Sequence, residues 1–237
     1  LRNGQWQMMT EPINYDRPVA GVSLAASFAE AWSKANHEEE IGLIPCAEGG
    51  SSLNDWHPEG TLFQHALSEA RFALKTSEIC GILWHQGESD SNQGQHETYY
   101  DKLSIIIRTL RDELNLKNVP LIIGGLGDFL GKTGFGKYSP EYQLVNEQLR
   151  RYAENQTNCY FVTAEGLTAN PDGIHLNSVS QRIFGYRYFE AFSKNYHILK
   201  PLSDEEQSLK INHTYSKTEQ IYISSMNLAL GKITYAE

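Results

Sequence analysis

Four short runs before residue 165 are apolar on consecutive positions: IGLIPCA at 41–47, ICGILWH at 79–85, VPLIIGGL at 119–126 and CYFVTA at 159–164. Unbroken apolarity over so few residues, rich in branched aliphatics, marks strands covered on both faces, as in a parallel sheet. Between and after them lie stretches with helical spacing. These predict helices over 21–36, 61–75, 97–114, 140–155 and 178–196, the last capped by Asn177 or Ser178. Strand and helix alternate, so the pattern predicts right-handed crossovers and a doubly wound α/β fold. Ligands of such folds sit outside the carboxyl ends of the strands. Each predicted strand runs into a loop of small and polar residues: EGGSSLNDW, QGESDSNQG, GGLGDFLGKTGFGK and EGLTANPDGIH. These four loops are expected to converge on one sheet edge.

After Pro201 the sequence turns polar, and 218–230 reads as one more helix. We therefore expect one domain over 1–200 and a helical C-terminal appendage over 201–237. No internal repeat or low-complexity segment is present.

At 237 residues, 40% of them hydrophobic, the chain can bury a single sizeable core. The formal net charge of −9 argues against a nucleic-acid or anionic-membrane partner, since both reward a surplus of Lys and Arg. No apolar run approaches the roughly 18 residues that span a bilayer. The three cysteines (Cys46, Cys80, Cys159) are scattered through apolar runs and read as buried thiols. The chain starts at Leu1 with neither the charged nor the apolar region of a signal peptide, which favours the cytoplasm. It stops at GKITYAE, and both ends read as cuts.

Three loops hold candidate chemistry. In DGIH, Asp172 stands three residues before His175, just ahead of a helix. A carboxylate there can take Nδ1–H of the imidazole, fix its tautomer, and stabilise the imidazolium formed when Nε2 accepts a proton. The plainer reading is a turn-capping Asp and a surface His. In CAEGGSS, Gly49 and Gly50 allow a backbone N–H to approach a ligand closely, as an oxyanion donor must. For an isolated Gly-Gly, a tight strand-to-helix turn is the commoner reading. In WHQGESDS, the Gln86 amide can donate to an oxyanion, and Glu88 can orient or balance a neighbouring charge. Alternatively both belong to a hydrogen-bonded core edge, because a carboxylate just past a buried strand needs partners. His85 and His175 fall in no compact metal-ligand spacing, so no metal site is expected.

Together, GGSS at 49–52, WHQGESD at 84–90 and DGIHL at 172–176 resemble the SGNH/GDSL hydrolase superfamily, in particular its carbohydrate-esterase branch related to acetylxylan esterases and sialic-acid-specific acetylesterases. HQGE is close to diagnostic of that branch, and the resemblance covers about residues 1–200. It implies a three-layer α/β/α flavodoxin-like fold and removal of O-acetyl groups from a sugar or polysaccharide, with an acetylated carbohydrate as the partner and no cofactor. It also implies that His175 is general base and then acid, with Asp172 orienting it. Gly49 or Gly50 and Gln86 would serve the oxyanion, and Glu88 would be a supporting acid.

The family's first block, a Gly-Gln-Ser-Asn turn after the first strand, has no counterpart; GQW at 4–6 carries Trp in place of Ser. The nucleophile is therefore unassigned and the first strand of the sheet is expected to be missing. Three explanations stand: truncation; a replacement nucleophile at Ser51, Ser52 or Ser89; or a permuted block in the tail at 221–231, whose apolar spacing fits a helix as well. A rival from another class is a non-catalytic carbohydrate-binding protein using loop aromatics such as Trp56, Trp84 and Tyr138.

Overall fold

The computed structural model describes residues 1–18 and 20–202; the expected appendage and the tail segment at 221–231 lie outside the described residues. The elements, in chain order, are α1 (Leu24–Ala35), α2 (Thr61–Ala73), β1 (Ile82–Trp84), a 3-10 turn (Glu88–Asp90), α3 (His96–Leu114), β2 (Leu121–Gly124), a second 3-10 turn (Gly134–Tyr138), α4 (Tyr142–Asn155), β3 (Cys159–Val162) and α5 (Ser178–Lys194). All five predicted helices form, each trimmed or shifted by a few residues at its ends. The cap of α5 is Asn177, whose side chain accepts the Ser180 N–H at 2.9 Å. Ser23 caps α1 in the same way, accepting from Ala25 N–H.

The sheet is parallel, in the order β1-β2-β3. Ile82 stands opposite Leu121, and Leu121 opposite Cys159. Because side chains alternate along a strand, its residues divide between two cores. Ile82, Trp84, Leu121, Ile123, Cys159 and Phe161 pack against α2, α3 and α4. Leu83, Ile122 and Val162 pack against α1 and α5. Every strand side chain but that of Tyr160 is buried, which accounts for the unbroken apolar runs read from the sequence. The result is the expected α/β/α arrangement of three layers.

The first predicted strand, 41–47, joins no ladder. Its side chains still alternate: Ile41 and Leu43 go to the α1/α5 core, and Ile44 and Cys46 to the α2–α4 core. What it lacks is pairing. Pro45 has no N–H to give, and no described strand lies beside it. On the neighbouring edge, Ile82 N–H bonds the Pro120 carbonyl, so the Leu83 N–H points the other way, where the described residues offer it no acceptor.

The cysteines follow the same burial. Cys46 and Cys159 are buried free thiols, whereas Cys80 is only half-buried. Burial pushes the Cys159 thiol up to about 12. Among the described residues, no helix is long and apolar enough to cross a membrane.

Candidate functional site

The four loops that follow the apolar runs meet at one edge of the sheet, tied together by short polar contacts. Ser89 Oγ donates to the Gly50 carbonyl at 2.9 Å, joining the first loop to the second. Ser139 Oγ donates to the Glu88 carbonyl at 2.8 Å, joining the second to the third. Phe135 N–H donates to the Asp172 carbonyl at 2.7 Å, joining the third to the fourth.

In the fourth loop, Asp172 Oδ1 accepts the N–H groups of Ile174 and His175, both at 3.0 Å. Its Oδ2 stands 2.7 Å from His175 Nδ1. The carboxylate can only accept, so it fixes the proton on Nδ1 and leaves Nε2 with a lone pair. Among the described residues Nε2 has no hydrogen-bond partner. Both side chains are about a quarter exposed, at 26% and 27%. Gly173 makes the turn possible: its φ is +74°, and a Cβ there would stand 2.4 Å from the Thr133 carbonyl oxygen.

Of the expected oxyanion donors, Gly50 has an N–H with no acceptor among the described residues, and it is exposed. Gly49 is gripped from both sides. Its N–H donates to Asp16 Oδ2 at 2.8 Å, and its carbonyl accepts from Arg17 Nη2 at 2.6 Å. Arg17 also pairs with Glu48 at 2.8 Å. Gln86 is buried and fully committed. Its Nε2 donates to the Ser51 carbonyl at 3.1 Å and to Asp90 Oδ2 at 2.6 Å, and its Oε1 accepts from the Tyr99 hydroxyl. It stitches the first loop to the second; it does not point a free amide at a ligand.

Glu88 is paired within its own segment. Its Oε1 lies 3.6 Å from His85 Nε2, while its Oε2 is buried with no partner among the described residues. No hydrogen bond links it to Asp172 or His175. Burial holds the His85 imidazole below its usual value near 6.5, against the upward pull of Glu88 and of the Gly124 carbonyl. Asp90 moves the other way: burial raises it, opposed by its bonds from Gln86 and from Leu53 N–H.

Each of the three replacement hydroxyls spends its proton elsewhere. Ser51 donates to the Glu48 carbonyl, Ser52 to Asp55 and Ser89 to the Gly50 carbonyl. None is hydrogen-bonded to His175. Of the three candidate aromatics, Trp56 and Trp84 are core residues, 2% and 1% exposed, and meet edge to face, whereas Tyr138 is 62% exposed. No group of three His, Cys, Asp or Glu side chains comes together as a metal site among the described residues.

A cleft of about 570 Å³ opens beside Gly49 and Gly50, walled by Arg17, Glu48, Asn54, Asp55 and Thr61. Sequence reasoning missed Asp16 and Arg17, which lie in an irregular segment 33 and 32 residues before Gly49 and carry no local signal.

Known proteins supply an independent comparison. The family model described as carbohydrate esterase, sialic acid-specific acetylesterase, matches residues 1–194. A probable carbohydrate esterase of Arabidopsis thaliana is 29% identical over 202 residues, which cover 81% of this chain and 72% of that one. A solved structure from Arabidopsis thaliana aligns with a TM-score of 0.73 at 28% identity, over 81% of this chain and 78% of its own.

Proposed function

The chain belongs to the carbohydrate esterase family described as sialic acid-specific acetylesterase, and from that membership we propose that its site removes O-acetyl groups from a sugar or polysaccharide through the Asp172–His175 pair. The observation that carries this reading is the 2.7 Å contact from Asp172 to His175 Nδ1, which leaves Nε2 open at the loop edge of the sheet. In the reaction, Nε2 takes the proton of an attacking hydroxyl as its oxygen adds to the acetyl carbonyl. The same proton then goes to the departing sugar oxygen, and water repeats the cycle on the acyl group. The Gly50 N–H is the donor free to meet the developing oxyanion. Gln86 and Gly49, both committed, would hold that loop in place, and Glu88 would support it from the buried side.

The attacking hydroxyl is proposed to lie outside the described residues, because no described hydroxyl is bonded to His175. Hydrolysis of p-nitrophenyl acetate by the 237-residue chain tests the reading. Any turnover above background should fall by about 10²–10⁴-fold in His175→Ala. It should be unchanged in Ser51→Ala, Ser52→Ala and Ser89→Ala. A rate indifferent to His175→Ala would refute the pair, and loss in one serine variant would give the nucleophile to that residue. The same absence of a paired hydroxyl favours a second reading, a carbohydrate binder that keeps the cleft. Sugar affinity with no turnover at all would select it.

A further inference from the structure

Phe135 and Tyr138 are the most exposed aromatic side chains among the described residues, at 64% and 62%. They sit on the 3-10 turn Gly134–Tyr138, and that turn is not loose. Phe135 N–H bonds the Asp172 carbonyl at 2.7 Å, and Gly131 N–H bonds the Gly136 carbonyl at 2.8 Å. Ser139, buried just past the turn, anchors its end on the Glu88 carbonyl. The backbones approach so closely that a Cβ on Gly134 would stand 2.0 Å from the Asp172 carbonyl oxygen, and one on Gly136 equally close to that of Gly173. The turn is therefore packed against the residues that begin the Asp172–His175 loop, so the backbone that carries the two rings is fixed relative to that loop.

A rigid backbone presenting two aromatic rings to solvent offers apolar faces at little entropic cost to a ligand. Hydroxyl-bearing sugar rings have the matching shape, with C–H groups gathered on one face and polar groups at the rim. Lys137 Nζ lies 4.9 Å from the Tyr138 ring centre, so one face of that ring is partly covered and the other is left for a ligand.

We propose that Phe135 and Tyr138 form a sugar-ring platform beside His175, binding the ring next to the acetylated position. The proposal rests on the acetylesterase reading for the identity of its ligand, but its test reads binding and not turnover. Calorimetric titration of the 237-residue chain would use two probes, a neutral O-acetylated xylo-oligosaccharide and an O-acetylated sialic acid. Binding of either is expected, and the arm that binds identifies the sugar. Phe135→Ala and Tyr138→Ala should each weaken that binding by about fivefold, and the double variant by more. The exchange to Phe135→Tyr with Tyr138→Phe should restore it, since a ring face remains at each position. Circular dichroism of these surface variants should match the parent. Unchanged affinity in the double variant would overturn the platform, as would failure of the parent chain to bind either probe. Sedimentation showing that the parent dimerises and the double variant does not would also overturn it, by assigning the rings to a second copy. Intact binding with no hydrolysis would count against the esterase reading alone.

Discussion

His85 shows how much a single residue near this site can govern. It is 4% exposed, its Nδ1 has no partner among the described residues, and its ring stands edge-on to Phe184 at 5.3 Å. The folded protein therefore resists protonating it, while the unfolded chain takes the proton near 6.5. Stability that His85 contributes is present above that value and is lost as pH falls through it toward the depressed folded value. Asp90 has the opposite sign, because its folded value is raised above 3.8. Its contribution is complete below 3.8 and is lost as pH rises through the raised value. Urea midpoints measured between about pH 4 and pH 8 should thus fall toward acid through His85, and His85→Gln should flatten that limb. Asp90→Asn keeps an oxygen for Gln86 and Leu53 N–H, and should flatten the opposing slope. A His85→Gln protein with the parent's acid limb would show that burial does not hold this group neutral. What the sequence revealed at this scale was what lies close along the chain. Asp172 and His175 are three residues apart and could be read as a pair, whereas Asp16 reaches Gly49 across 33 residues that no local pattern connects.

The helices were legible for the same reason of locality. Apolar spacing, an Asn177 or Ser23 cap and a left-handed Asn115 or Asn195 at the end are properties of a single stretch. Strands are not, since a ladder belongs to two segments at once. The 41–47 run has the composition and alternation of a strand, with Leu43 and Ile44 buried on opposite faces, yet forms no ladder, because Pro45 has no N–H to give and no strand among the described residues pairs with it. Burial without a ladder has a measurable consequence. Amide hydrogen exchange at Leu43, Ile44 and Cys46 should run about a hundredfold faster than at Ile122 and Ile123, which sit between two paired strands. Equal protection would mean that 41–47 is hydrogen-bonded in solution by a partner outside the described residues. The strand-end loops follow a similar logic: polar composition announced them, but only the three side-by-side strands of the sheet bring their ends together.

For the whole molecule, two tendencies oppose each other. One is a formal net charge of −9, which keeps copies apart. The other is apolar surface: Met8 is 90% exposed, and Trp6, Phe72 and Leu74 lie 37–39% exposed, with Trp6 bonded to Thr76 and Phe72 against Gly4. Repulsion between like-charged copies acts through solvent and is screened by salt, whereas apolar attraction is not. Raising ionic strength from about 0.01 M to about 1 M shortens the screening length from roughly 30 Å to roughly 3 Å. Light scattering of the 237-residue chain should therefore grow across that range, and Met8→Lys with Leu74→Lys should suppress part of the growth. Scattering that stays flat with salt would mean that the apolar patch is not available to another copy.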